Sequence, residues 1–132
     1  MGLSGSYPLH IRMQRQPADA RWGLEHWRAQ LLLPGEEAPA AQTTALTLEL
    51  HDDEAEGYFE NWVAPAPKVF VTWRLRDGLA VPILASVSYA EGTRMFDSGD
   101  PADGLPMPPT VHAWLGEWLR LNYRPRQRRR HP

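Results

Sequence analysis

Asp77-Gly78 sits between two runs of alternating apolar residues, and no other stretch limits the possible folds of this chain so strongly. Val69, Val71, Trp73 and Leu75 alternate with Phe70, Thr72, Arg74 and Arg76, the period of two that a strand with one buried face requires. Asp-Gly accepts the positive φ angles of a type I′ turn, so a two-residue loop sets Arg76 opposite Leu79 and Trp73 opposite Pro82. In that register Trp73 and Pro82 form a non-hydrogen-bonded pair, and proline has no amide to offer a neighbour on its other side. The second strand is therefore expected to be a sheet edge there, or locally bulged. Leu79, Val81, Ile83, Ala85 and Val87 share a face with Phe70 and Thr72, which leaves apolar side chains on both sides of the hairpin. The C-terminal helix is the expected cover for the second side.

Upstream, Leu9, Ile11 and Met13 alternate with His10, Arg12 and Gln14 as a first strand, closed by Pro17. Trp27, Ala29, Leu31 and Leu33 alternate with Arg28, Gln30 and Leu32 as a second, stopped by Pro34-Gly35. A small, polar connection over residues 36–44 leads to a third strand through Leu46, Leu48 and Leu50. The segment from His51 to Trp62 admits two readings. Asp53 and Glu56 have the spacing of a helix capping box, with Tyr58, Phe59 and Trp62 able to share a helical face. Against this, Tyr58, Glu60 and Trp62 also alternate, Gly57 is a poor helix-interior residue, and Pro65 and Pro67 cut the run short. An acidic turn leading into a strand is the expected structure.

After Val87 the period changes. Ser88 and Glu91 have capping-box spacing, so a short helix is expected from there to Gly99, followed by an extended proline-rich connector. Pro109 suits the first turn of a second helix, in which Val111, Trp114, Leu115, Trp118 and Leu119 form one apolar stripe that ends near Tyr123. The expected fold is α+β: a mostly antiparallel, curved or small-barrel-like sheet with two C-terminal helices. Residues 1–123 form a single domain, and residues 124–132 a basic, arginine-rich tail expected to be disordered.

The 132 residues suffice for one domain with a sizeable core. The absence of cysteine excludes disulfides, thiolate metal sites and cysteine nucleophiles together. No apolar run approaches the ~18 residues of a membrane span, and the N-terminal stretch lacks the apolar region of a secretion signal, so the expected compartment is the cytoplasm, with no membrane partner. The net charge of −2 hides an asymmetry, because Arg124, Arg126, Arg128, Arg129 and Arg130 fall in the tail while the body is acidic.

Asp52, Asp53, Glu54, Glu56 and Glu60 are the densest carboxylates, but their spacing is not that of a calcium loop, and they read as a solvated turn. The histidines His10, His26, His51, His112 and His131 are scattered without metal-ligand spacing. His51 beside Asp52 is the one acid/base candidate, and it lacks a second positioned group. No phosphate loop or nucleophile elbow is present. No catalytic, cofactor-binding or metal residue is assigned, and no cofactor is expected. Of six tryptophans, Trp73, Trp114 and Trp118 fall on faces expected to be buried. Trp22, Trp27 and Trp62 are the candidate partner-binding aromatics, joined by Arg124, Arg126, Arg128, Arg129 and Arg130 as attraction for an acidic protein surface. Nucleic acid is disfavoured as a partner, because an acidic body repels phosphates.

Five blocks in order, RWGLEHWRAQLLLPG (Arg21 to Gly35), LELHDDEAEGYFENW (Leu48 to Trp62), PAPKVFVTWR (Pro65 to Arg74), VSYAEGTRMFDSGD (Val87 to Asp100) and LPMPPTVHAWLGEWLRLNYRP (Leu105 to Pro125), cover most of the chain. Together they resemble a proteobacterial domain-of-unknown-function family, the one numbered thirty-three-oh-five. Such proteins are typically encoded beside molybdenum-dependent formate dehydrogenase genes and their maturation factors. The resemblance implies a non-enzymatic accessory or chaperone-like binding protein whose partner is a formate dehydrogenase subunit or a maturation factor. The alternatives are a small enzyme or carrier acting on a molybdenum-cofactor intermediate, and a nucleic-acid-binding regulator.

Overall fold

A computed structural model of the chain describes residues 5–16, 26–33, 35–38 and 42–125. The elements run β1 (Ser6–Gln16), β2 (His26–Leu31), β3 (Thr43–Glu49), α1 (Ala55–Trp62), β4 (Lys68–Arg76), β5 (Leu79–Ser86), α2 (Tyr89–Asp97), β6 (Ala102–Pro106) and α3 (Pro109–Asn122). The strands form two three-stranded antiparallel sheets, ordered β2-β1-β3 and β5-β4-β6. At the seams, β3 approaches β5 and β2 approaches β6 with Cα atoms within 8 Å, nearer than the ~10 Å of sheets stacked face to face. Among the described residues neither seam carries a ladder, so the α+β fold is built on two open sheets wrapped around one core and not on a closed barrel. Ile11, Leu48, Val69 and Val71 fill that core from the sheets, and Tyr58, Val111 and Leu115 close it from the helices.

The central hairpin has the expected turn and register at its tip. Asp77 and Gly78 take φ of 51° and 76°, Arg76 pairs with Leu79, and Trp73 pairs with Pro82. β5 is the edge of its sheet, and a bulge follows directly, because Thr72 pairs with Leu84 and leaves Ile83 as the extra residue. The bulge reverses the facing expected beyond it. Ala85 lies opposite Val71 and turns inward with Val87, while Ser86 lies opposite Phe70.

Two further expectations are corrected. The second side of the hairpin, marked by Phe70, is covered by α2 and not by the C-terminal helix; α3 packs against α1 instead. The segment expected to be a proline-rich connector contains β6, whose Leu105 and Gly104 pair with Val69 and Phe70.

Residues 52–62 form a 3-10 turn (Asp52–Glu54) running into α1, and not a turn leading into a strand. No side-chain cap starts this helix; tertiary contacts select it. A Cβ on Gly57 would lie 2.3 Å from Ser88 Oγ, so glycine here permits close approach of α1 to the start of α2. Asn61, one turn on and buried, donates from Nδ2 to Lys68 O (2.8 Å) and Val87 O (2.9 Å) and accepts from Lys68 N at Oδ1 (3.0 Å). A strand would break all three bonds.

The capping box of α2 forms on one arm, with Ser88 Oγ accepting from Glu91 N at 3.2 Å. The return arm is relayed: Ser88 N donates to Ser86 Oγ (3.0 Å), which donates to Glu91 Oε1 (3.1 Å). Among the described residues no helix is long and apolar enough to cross a membrane.

Candidate functional site

Trp22, Arg126, Arg128, Arg129 and Arg130 lie outside the described residues. Trp27 stands on β2 opposite Arg15, whose guanidinium sits 4.9 Å over its ring, and its buried Nε1 has no hydrogen-bond partner among the described residues. Trp62 stacks on His112 and donates from Nε1 to His112 O, which makes it part of the α1–α3 joint. Arg124 is exposed and donates to Tyr123 O. Each of the three is thus engaged by a different neighbour within the chain.

The acidic segment is tied into the fold more than a solvated turn implies. Glu54 accepts from Ser88 Oγ at 2.9 Å and from Arg94 at 3.0 Å, and Glu56 accepts from the Tyr123 hydroxyl at 2.7 Å. That last bond holds the Tyr123 phenol above its ordinary pKa. The Tyr58 hydroxyl accepts from His51 N at 2.9 Å, and burial pushes this phenol up to about 12. Arg74 pairs with Asp100 at 3.7 Å. Among the described residues no group of His, Cys, Asp and Glu could hold a metal ion.

The surface that does converge lies on α2. Tyr89 and Phe96, seven residues apart, project from the same side of the helix and are 51% and 52% exposed. Both meet the buried Phe70 of β4 edge to face, with ring centroids 6.4 Å and 6.2 Å away and interplanar angles of 86° and 85°. Gly92 makes this possible, since a Cβ there would sit 2.6 Å from the Phe70 ring. Between the rings, the α1–β4 connection and β6 opens a cleft of about 430 Å³, walled by Phe70, Tyr89, Phe96, Ala64, Gly104 and Lys68. Lys68 is its one charged lining residue.

A larger cleft of about 890 Å³ lies over β1 and the start of α3, lined by Tyr7, Leu9, Leu31 and Val111. Its outer wall, residues 35–38, borders positions outside the described residues. The α2 cleft is walled by α2, β4, β6 and the α1–β4 connection, all of them described residues.

Tyr89, Phe96, Phe70 and Lys68 did not stand out in the sequence as site residues. The available signal was the seven-residue spacing of Tyr89 and Phe96 within an expected helix, with a glycine midway. What the spacing lacked was the partner strand, because Phe70 was to be covered by a different helix.

Comparison with curated proteins and with solved structures finds no match. Residues 8–132 match the model of the family described as "Protein of unknown function (DUF3305)", and the chain belongs to that family.

Proposed function

We propose that this protein is a non-enzymatic accessory or chaperone-like binding protein of a molybdenum-dependent formate dehydrogenase system, and that its partner is a dehydrogenase subunit or a maturation factor. The observation that carries the docking role is the pair of half-exposed aromatic rings, Tyr89 and Phe96, held on either side of Phe70. Rigid aromatic side chains around a cleft give large contact area at small entropic cost and dominate the energetics of protein interfaces. Glu54, at the start of α1, binds both Ser88 Oγ and Arg94, which holds α2 against α1, so the rings are preorganised. The choice of partner rests on the family's characteristic gene neighbours, an associational ground. The arginines that begin at Arg124 add long-range attraction toward an acidic partner.

Capture from a native lysate of a formate dehydrogenase producer tests this reading. The intact protein is expected to recover a dehydrogenase subunit or a maturation factor, and a Tyr89→Ser, Phe96→Ser double variant is expected to lose it. Recovery of neither by the intact protein overturns the partner assignment, and equal recovery by the variant overturns the docking surface. Deletion of residues 124–132 is expected to flatten the salt dependence of capture; an unchanged dependence leaves the tail without a part in docking.

A further inference from the structure

Resting on the docking role of the α2 cleft, we infer that the partner inserts a segment in which an aromatic or large aliphatic side chain lies next to a carboxylate. Among the described residues the cleft has one charge in a mostly apolar wall. That charge is Lys68, the only lysine in the chain. Its ammonium has no hydrogen bond or ion pair among the described residues. The root of the side chain is fixed, because Asn61 binds Lys68 at both its amide and its carbonyl. The stem lies across Gly104, where a Cβ would come 2.8 Å from Lys68 Cδ.

Two of the neighbouring polar side chains are already committed within the fold. Asn61 uses both oxygen and nitrogen on backbone, and Thr93 Oγ1 donates to Tyr89 O. An ammonium at the wall of an apolar cleft can form a charge-assisted hydrogen bond with an incoming carboxylate, a stronger contact than a neutral amide can make there. The perpendicular rings of Phe70, Tyr89 and Phe96 leave their faces and edges to receive an apolar group beside it. One ligand feature thus fills the slot, and an adjacent one neutralises its wall.

The test is an NMR titration of the intact protein with the capped tetrapeptide acetyl-Gly-Phe-Glu-Gly-amide and its Gln and Lys counterparts, read at the Thr93 and Gly104 amides. The Glu peptide is expected to bind ~10-fold tighter than the Gln peptide, as a charge-assisted hydrogen bond allows, and the Lys peptide more weakly than either. Lys68→Gln is expected to bring the Glu peptide down to the level of the Gln peptide, and Phe96→Ala to weaken all three. Equal binding of the Glu and Gln peptides, a preference that survives Lys68→Gln, or no shift at either amide overturns the inference. If the peptides fail while Tyr89→Ser, Phe96→Ser still abolishes partner capture, the docking surface stands and only the carboxylate preference falls. The unchanged dispersion of distant amides confirms that each variant is folded.

Discussion

The indole of Trp62 and the imidazole of His112 stack with centroids 4.8 Å apart and planes 8° from parallel, and each ring hydrogen-bonds the other residue's backbone. Trp62 Nε1 donates to His112 O at 3.0 Å, and His112 Nε2 lies 3.1 Å from Trp62 O. A carbonyl only accepts, so the proton of the neutral ring is on Nε2. Four groups are satisfied in one joint, and it fixes α1 against α3. A tryptophan that reads as a partner anchor in the sequence also fastens two helices of the fold.

Because the stack and the hydrogen bond are separable, two substitutions should cost different amounts. His112→Phe keeps a ring on the indole and leaves Trp62 O without its donor, a loss of about 1 kcal/mol. His112→Ala loses both and should cost about 2 kcal/mol, the aromatic pair being worth ~0.5–1.5 kcal/mol of that. Urea unfolding of the three proteins measures both values. Equal midpoints for the two variants would show that the stack contributes nothing.

Asn61 offers a sharper case. Its side chain serves Lys68 N, Lys68 O and Val87 O while almost wholly buried. Asn61→Leu is close in size and leaves three backbone groups unpaired, so stability should fall by about 3 kcal/mol or more, since each orphaned group costs ~1–3 kcal/mol. Asn61→Asp, which cannot donate when ionised and faces two carbonyl oxygens, should be at least as harmful at neutral pH and milder in acid. A stability of Asn61→Leu within 1 kcal/mol of the parent, on the scale of ordinary surface changes, would contradict this accounting.

The same residue shows why part of the fold was legible in the sequence and part was not. Asp77-Gly78 sets its hairpin locally, so the register from Arg76 to Trp73 followed from turn chemistry alone. Pro82 announced an interruption, yet the residue that absorbs it, Ile83, could not be chosen without knowing which face was buried. The apolar stripe of α3 and the Ser88 cap are also local, and both were readable. α1 was missed because Gly57 and the two prolines argue against a helix at short range, whereas its selection comes from Asn61 and Gly57 meeting β4 and α2. β6 was hidden by prolines, which fall just before it at Pro101, at its last residue Pro106 and beyond. The α2 cleft needs all of these contacts at once, and the spacing of Tyr89 and Phe96 alone does not name the strand they meet.

Gly92 tests whether the shape of that cleft depends on helix–strand contact. In an exposed helix, glycine to alanine gains ~1 kcal/mol. At Gly92 the new methyl would meet the Phe70 ring at 2.6 Å, and overpacking of this kind costs ~1–3 kcal/mol. Gly92→Ala should therefore lower stability despite its better propensity, and should shift the ring resonances of Tyr89 and Phe96, which lean on Phe70. A stabilised variant with unmoved rings would mean that α2 rides freely over β4.

Tyr58 predicts how the protein fails in alkali. Its phenol is buried, edge to face with Trp118 at 5.6 Å, and its pKa is raised from 10.0 to about 12 chiefly by burial, partly opposed by the bond from His51 N. The sign follows from proton binding: above pH 10 the unfolded chain releases this proton while the folded chain keeps it, so the unfolded state binds fewer protons and stability falls as pH rises. The contribution is whole below pH 10 and is lost between about pH 10 and 12, amounting to about 3 kcal/mol at the upper end. Tyr58→Phe should remove the alkaline step, while costing about 1 kcal/mol or more at neutral pH because His51 N loses its acceptor. Unfolding free energies measured across that range for the parent and the variant check both halves, and parallel curves would assign the alkaline loss to another group.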